Sequence, residues 1–411
     1  MKIEKCYNPQ MKKYILNFWN TEEIPHEAKI LTAVTSVRWI GWGFAESLIP
    51  VLMYSFGHTF AGAGLLRSSY DIAYIIALPL VGVLADQMRA TSLVLIGLYL
   101  YLFCGLSYFL VGATSIVIFI VIARILNGVA YAFDAVGRNT CIRRHTDQSK
   151  LATVFGFLDT VANFWWIVAS LSGIILVKYF SITNLLILIT PAAVVAIIIL
   201  VKYRKKKIEK IGDVKREKVP ISSVLREMRF WNFKLKSLLL FNFFIYFANA
   251  IIVFFLPIQA FINGGGYTPI ILMGVAVTLP SLFGWKLGKM FDGKESKIFT
   301  QSLFLFAFLI FSLVFWKMYI WQIIVLFVVS LIVELLYLGT NEMITRNSEP
   351  AHLGRIDGIM RSVADIGSMT GPLIIGIIMD SYGVPIAYSV LGIIILTLAF
   401  VFYFMNKKTA I

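Results

Sequence analysis

The sequence predicts an all-α, polytopic membrane protein with twelve transmembrane helices in two six-helix bundles. Three observations support this fold class: the composition, a series of long apolar segments, and an internal repeat. Of the 411 residues, 59% are hydrophobic and 14% are charged, and the mean hydropathy is +0.82. A soluble protein could not cover so apolar a chain with so little polar surface.

Apolar segments follow one another along the whole chain. A helix needs about 20 predominantly apolar residues to cross the hydrocarbon core of a bilayer. Segments of roughly this length form two groups, one on each side of a basic linker. They are called span one to span twelve below, and they cover residues 31–55, 65–85, 92–112, 115–137, 151–177, 182–202, 235–260, 268–288, 298–316, 320–340, 356–379 and 384–405.

The order of these segments predicts how the chain is organised. The expected parts are a cytoplasmic N-terminal segment (1–30), an N-terminal six-helix bundle (31–203), a basic cytoplasmic linker (204–233), a C-terminal six-helix bundle (234–405) and a cytoplasmic tail (406–411). The first part lacks the apolar region and cleavage site of a signal peptide, so span one is expected to act as its own insertion signal.

The two halves of the chain repeat one another. GRNTCIRRH at 137–145 aligns with GTNEMITRN at 339–347, an offset of 202 residues, and the same offset carries Gly156 onto Gly358. The two copies run in the same direction along the chain, which indicates a tandem duplication whose halves share one orientation.

The net charge of +15 does not indicate a nucleic-acid partner, because the basic residues cluster in alternate loops. The densest cluster lies at 202–218, whereas the intervening loops offer little beyond Arg67, Lys178 and Lys317. This asymmetry follows the positive-inside rule. We therefore expect a multi-pass protein of the cell (inner, cytoplasmic) membrane with both termini and the linker in the cytoplasm.

A polar pattern, Gly-x-x-x-Asp followed by basic residues, closes span two and recurs after span eight. The residues concerned are Gly82, Asp86 and Arg89 in the first half and Gly288, Asp292, Lys294 and Lys297 in the second. A glycine near a helix end lets another helix approach closely. An aspartate can accept hydrogen bonds from a helix N-terminus, where the dipole favours negative charge. One copy alone fits an ordinary polar turn, but two copies at equivalent places favour a cytoplasmic gate.

Charged residues inside the spans mark candidate functional positions, because a charge at a helix centre costs about 2.5–3.5 kcal/mol on insertion scales. Glu46, Arg124, Glu334 and Asp365 are expected nearest the midplane. The first three have no opposite charge one turn away, so their partners must come from another helix, water or substrate. Local pairing explains other charges: Asp134 with Arg138, and the series Asp357, Arg361 and Asp365, follow i,i+4 spacing.

Polar and aromatic residues in two other spans are candidates for a cavity wall. In span five, Trp165 and Trp166 lie mid-span, although tryptophan is usually an interfacial anchor. Asp159 and Asn163 precede them on the same helix. In span seven, the i,i+4,i+7 spacing predicts that Asn242, Tyr246 and Asn249 share a face.

Span four adds Arg124-x-x-x-Gly128. With this motif, both Gly-x-x-x-Asp copies, twelve spans and the repeat, the chain resembles the major facilitator superfamily over nearly all its length. The resemblance implies two six-helix bundles related by an axis along the membrane normal, with the substrate site between them. It also implies that Asp86 faces the start of span eleven and that Asp292 faces the start of span five. Ala90 and Thr91 replace further basic residues of the family pattern.

The expected function is secondary active transport of a small organic solute by alternating access, coupled to protons and directed outward. Glu46 would exchange a proton beside Arg124. The missing proline in span five departs from an antiporter motif, so uptake by a proton symporter or facilitator stays an alternative. A non-transporting receptor or scaffold on this fold is a third. Substrate, protons and the lipid bilayer are the expected partners. We expect no enzyme activity and no cofactor, since the spans carry no Ser-His, Cys-His or metal-ligand cluster and the chain no P-loop.

The topology has a direct test. Cysteines introduced as Lys210→Cys and Ser348→Cys should react with an impermeant maleimide only from the cytoplasmic side. Ala113→Cys and Gly265→Cys should react only from outside. Labelling of the first pair from outside would contradict the twelve-span topology.

Overall fold

The chain folds into a bundle of helices in the computed structural model. The structure describes residues 24–147, 150–206, 231, 233–283, 295–315, 318–347 and 353–409, and within these ranges every regular element is helical. Span six ends beside the linker at Lys206, and span seven begins beside it at Phe233. We call this end of the molecule the linker face and the opposite end the far face.

The first half contains one interrupted span followed by five others. Span one comprises a helix at His26–Gly43, a 3-10 turn at Glu46–Leu48 and a helix at Ile49–Gly57. The next four spans are continuous helices, at Phe60–Gln87, Ala90–Thr114, Ile118–His145 and Leu151–Leu176. Span six comprises Ile182–Leu186 and Ile189–Lys206.

The second half follows the same order. Span seven is the helix Phe233–Ile262, and span eight comprises Tyr267–Thr278 and the 3-10 turn Leu279–Phe283. Spans nine to twelve are the helices Glu295–Phe315, Tyr319–Asn347, Leu353–Tyr382 and Val384–Thr409.

Ten of the described helices are long and apolar enough to cross a membrane. The exceptions are span one, which is broken, and span eight, whose described part ends at Phe283. Large apolar side chains cover the outer surface; Ile76, Leu80 and Ile175 are each more than 60% exposed. Such a surface suits lipid rather than water. The predicted fold class, an all-α polytopic membrane protein, is confirmed.

The break in span one places Glu46. Pro50 lies in the first turn of the helix that follows the break. Because proline has no backbone N–H, it cannot donate to the carbonyl four residues earlier, which is that of Glu46. A continuous helix is interrupted at this point, and Glu46 begins the connecting turn.

Span two begins at Phe60, five residues before the predicted start at 65, and this corrects the position of Arg67. The prediction that Arg67 lies in a loop is wrong, because Arg67 is two turns inside the helix. The helix start is fixed by Thr59, whose side-chain oxygen accepts a hydrogen bond from the Gly62 N–H at 2.9 Å. Hydropathy alone missed this turn because small residues, alanine and glycine at 61–64, occupy most of it.

Small residues allow the helices to approach closely. A Cβ on Gly128 in span four would touch the backbone of Tyr70 and Tyr74 in span two. At the far face, a Cβ on Gly64 would lie 2.5 Å from the Pro372 carbonyl oxygen, and one on Gly376 would lie 2.7 Å from that of Phe60. Spans two and eleven are therefore in direct backbone contact at the far face.

The linker face has a different character. Asp86, Asp159 and Arg361 are all exposed there, and a Cβ on Gly82 would meet nothing within 4 Å. In the described part of the chain, the two halves are therefore closed against each other at the far face and open toward the linker face.

Candidate functional site

A cavity of about 390 Å³ lies between the two halves of the protein. Spans one to four supply most of its wall, and spans seven and eleven close the other side. Its polar and aromatic lining consists of Arg38, Trp39, Trp42, Glu46, Arg67, Tyr70, Tyr101, Arg124, Asn127, Tyr131, Asn249, Phe254 and Ser368. Two of the predicted midplane residues, Glu46 and Arg124, therefore share one cavity.

Glu46 is held by a residue from span five. The indole N–H of Trp166 donates a hydrogen bond to Glu46 Oε2 at 2.6 Å, and Trp166 is only 4% exposed. Short hydrogen bonds to a carboxylate are among the stronger ones in proteins. Of the three sources expected for a partner of Glu46, which were another helix, water and substrate, the structure shows another helix. Trp165, next in sequence, faces outward and is 38% exposed.

Arg124 is buried and is held mainly by aromatic rings. Its guanidinium carbon lies 4.7 Å from the centre of the Tyr70 ring, a cation–π contact. Gly128, one turn along, makes this contact possible because it lets spans two and four approach closely. Among the residues that the structure describes, Arg124 makes no ion pair, and its Nε has no hydrogen-bond partner.

The other arginines of this region each contact an aspartate within the protein. Arg38 and Arg138 both contact Asp134 Oδ2 at 3.2 Å, and Asp134 is 1% exposed. Arg67 pairs with Asp71 at 3.3 Å along span two. The predicted pairing of Asp134 with Arg138 is confirmed, and Arg38 from span one joins it.

These pairs leave the cavity region with a net charge. Its four arginines face three carboxylates, so one positive charge is uncompensated when all are ionised. The groups counted are Arg38, Arg67, Arg124 and Arg138 against Glu46, Asp71 and Asp134.

Three amide side chains chosen from the sequence have different positions. Asn249 lines the cavity. Asn163 donates to Ser281 Oγ at 2.9 Å and so joins span five to span eight across the two halves. Asn242 is buried and donates to the Met360 carbonyl oxygen at 2.6 Å, so it joins span seven to span eleven outside the cavity wall.

A second polar group lies toward the linker face and surrounds Arg361. The Arg361 guanidinium donates to the Tyr337 hydroxyl at 3.1 Å. It also interacts electrostatically with Asp159, Asp365 and Tyr246. Residues of this group come from both halves of the protein and lie apart from the lining of the cavity.

Glu334 in span ten belongs to the same polar group. It is half-buried and interacts electrostatically with Asp159 of span five and with Tyr246 of span seven. The side chain of Asp357, predicted to pair with Arg361, lies outside the described residues.

The predicted cytoplasmic gate is only partly described. Asp86 is exposed and makes no hydrogen bond or ion pair with another residue in the described ranges, and Arg89 is half-buried. The expected contact of Asp86 with the start of span eleven thus stays a prediction. Gly288, Asp292 and Lys294 lie outside the described residues.

Sequence reasoning missed three residues that line the cavity, Arg67, Tyr70 and Tyr131, and the ion-pair partner of the first, Asp71. Arg67 was assigned to a loop, and Asp71, Tyr70 and Tyr131 received no assignment. The spacing Arg67–Asp71, an i,i+4 pair of opposite charges inside an apolar segment, was the available signal. The tyrosines had no comparable signal, because aromatic residues in a span more often pack against lipid or other helices.

Comparisons with known proteins agree with this architecture. The profile of the Major Facilitator Superfamily matches residues 31–356. The chain belongs to the Major Facilitator Superfamily. This assignment confirms the resemblance drawn from the two Gly-x-x-x-Asp copies, the Arg124 motif and the repeat.

Solved structures of the same superfamily fold share its architecture at low sequence identity. The nucleoside transporter NupG is 14% identical, with a TM-score of 0.74 over 93% of this chain and 100% of that one. The human organic anion transporter MFSD10 (TETRAN) is 12% identical, with a TM-score of 0.64 over 92% and 100%. No curated protein sequence gives a significant match. At these identities the structures show a common fold, not a common substrate.

The Glu46–Trp166 hydrogen bond can be measured by a double-mutant cycle. Glu46→Ala and Trp166→Phe, singly and together, should give a coupling of about 1 kcal/mol in the free energy of unfolding in mixed micelles, because each single change breaks the same bond. The matched cycle with Trp165→Phe should give no coupling, since Trp165 faces outward. Equal coupling in both cycles would contradict the assigned bond.

Proposed function

We propose that this protein is a secondary active transporter that exports a small organic solute by alternating access, in exchange for protons. The observation that carries this proposal is the cavity between the two halves, where Arg124 and Glu46 face the same space without an ion-pair partner among the described residues. Unpaired charges inside a membrane are costly and usually mark a transport pathway. Two similar solved structures, of a nucleoside transporter and of an organic anion transporter, favour a small-molecule substrate.

Alternating access requires the cavity to open on one side at a time. We propose that the bundles at 31–203 and 234–405 rock against each other around the cavity, so that the far face opens as the linker face closes. In that second state Asp86 would accept hydrogen bonds from the start of span eleven. The positive-inside pattern supports a cytoplasmic linker face in the cell membrane, with both termini on that side.

Glu46 is the proposed proton carrier. A carboxylate can change its charge as its surroundings change, and Glu46 already shares its cavity with the positive charge of Arg124. Asp159, Glu334 and Asp365 lie between this cavity and the linker face and would pass the proton on. A bound organic solute and a proton on Glu46 would then alternate in the same space.

Transport by the purified protein in proteoliposomes tests this function. Vesicles with imposed pH and voltage gradients should accumulate a radiolabelled solute, with benzoate and uridine as the first probes. Glu46→Gln mimics the protonated side chain, so it should abolish accumulation against a gradient and leave exchange across equal concentrations intact. Asp147→Asn, in an exposed loop, is the control for loss of one carboxylate and should behave as the wild type.

A Glu46→Gln protein that still accumulates solute against a gradient would contradict the role of Glu46, and Glu334 or Asp365 would be the next carrier to change. Accumulation driven by a proton gradient in the same direction as the solute would indicate symport in place of export.

A further inference from the structure

The guanidinium of Arg124 indicates what the cavity binds. Arg124 is 5% exposed, lines the cavity and makes no ion pair with any described residue; its Nε is unpartnered, as are those of Arg38 and Arg138. An anionic partner would strongly stabilise a guanidinium in so apolar a bundle, because the buried charge has lost most of its hydration. Arg38 and Arg67 differ from Arg124 in that each already contacts an aspartate.

The surroundings of Arg124 select a shape as well as a charge. Tyr70 lies against the guanidinium, and Trp39, Trp42, Tyr101 and Tyr131 line the same cavity. Aromatic rings of this kind bind planar rings by offset or edge-to-face contacts. The planar guanidinium can hold a carboxylate through two parallel hydrogen bonds, which lysine cannot do.

We propose that the substrate is a small organic anion with a planar ring, whose carboxylate or equivalent oxyanion binds Arg124 and whose ring lies among the cavity aromatics. This proposal deepens the transport function proposed above and rests on it. The excess of four arginines over three carboxylates in this region also favours an anion, since one negative charge neutralises it.

Three ligands with the same ring test the proposal by binding to the detergent-purified full chain. Benzoate is anionic, benzamide is its neutral isostere, and benzylammonium is cationic. Benzoate should raise the melting temperature most and bind at least about 10-fold more tightly than benzamide, since hydrogen bonds to charged groups are the stronger ones. Benzylammonium should bind more weakly than either.

Variants of Arg124 assign the effect to one side chain. Arg124→Ala should weaken benzoate binding about 10- to 100-fold and leave benzamide binding nearly unchanged. Arg124→Lys keeps the charge without the planar guanidinium, so its affinity for benzoate should lie between those of the wild type and Arg124→Ala. Arg143→Ala, an exposed arginine on the same span, is the matched control and should bind like the wild type. If Arg124→Ala does not fold, Arg124→Gln and Arg124→Lys decide the question.

Equal binding of benzoate and benzamide, preference for benzylammonium, no binding of benzoate, or unchanged benzoate binding by the Arg124 variants would each overturn the anion proposal. Failure of the transport function looks different. Benzoate would then bind in the Arg124-dependent manner, yet no proteoliposome would accumulate it. Uptake of uridine without benzoate binding would keep the transport function and reject the anion.

A different observation concerns closure of the far face. Asp380, in the last turns of span eleven, accepts hydrogen bonds from the first two N–H groups of span two. Phe60 N lies 2.9 Å from Oδ1, and Ala61 N lies 2.8 Å from Oδ2. The first N–H groups of a helix lack partners within the helix, and its dipole favours a negative charge there. Nearby, the Ser68 hydroxyl donates to the Met369 carbonyl oxygen at 2.9 Å.

The arrangement has a counterpart at the other end of the same two helices. Asp86 lies in the last turn of span two, at the face where span eleven begins, and is exposed. We further infer that Asp380 is the latch of the far face: it caps span two while the far face is closed and releases it when the far face opens. Asp86 and Asp380 would then act at opposite ends of one helix pair.

Spin labels on the two sides of the far face test the latch. Ile116→Cys lies in the loop after span three and Ile386→Cys at the start of span twelve, and both positions are exposed. In lipid nanodiscs, pulsed electron paramagnetic resonance should show one short distance between the two spin labels when Asp380 is present. Asp380→Ala should add a longer distance and shift the closed-to-open ratio about 10-fold, since two hydrogen bonds to a charged group are lost.

Asp380→Asn keeps one acceptor oxygen and should produce a smaller shift, so it decides the question if Asp380→Ala does not fold. Asp147→Asn removes a carboxylate from an exposed loop and should leave the distances unchanged. Identical distance distributions in wild type, Asp380→Asn and Asp380→Ala would overturn the latch.

Discussion

The positive charges buried between the two halves determine how this protein is built, because each must find a partner away from bulk water. Asp134 meets this requirement for Arg38 and Arg138 together, and it fixes span one against span four. Asp71 does the same for Arg67 within span two. Paired charges of this kind are costly to bury but more costly to break, so they hold the helices in one register. Arg124 is the exception among the cavity arginines, since an aromatic ring holds it and no carboxylate does so in the described residues.

This division between paired and unpaired charge links the fold to the proposed transport cycle. The paired groups stay within the first half and make it a stable body. The unpaired groups, Arg124 and Glu46, face the space between the halves, where their partner can change. The close approach at Gly128 places Tyr70 against Arg124, and the approaches at Gly64 and Gly376 pack spans two and eleven together at the far face. A bound anion and a proton would complete the charge balance in turn, and helix termini capped by Asp86 or Asp380 would hold one face closed.

The sequence was sufficient for the fold and for part of the site. Hydropathy located the spans, and the repeat showed two halves, because both signals depend only on local composition and order. Glu46 and Arg124 were identifiable because an unpaired charge in an apolar segment is conspicuous. The partners of these charges were not identifiable from the sequence. Trp166 contacts Glu46, and Arg38 contacts Asp134, only because different spans pack together. Asn242 shows the reverse error, since its helical spacing matched Asn249 but its amide binds the Met360 carbonyl oxygen. Spacing along a helix gives a face, and packing decides what that face meets.

Arg124 is the proposed anion-binding group of this member of the Major Facilitator Superfamily. The most direct measurement is an experimental structure of the full chain with 4-iodobenzoate, whose heavy atom fixes the orientation of the ring. We expect the carboxylate within hydrogen-bond distance of the Arg124 guanidinium and the ring among the cavity aromatics. Density for the ligand at Arg67, at Arg361 or outside the cavity, with Arg124 still unoccupied, would contradict it.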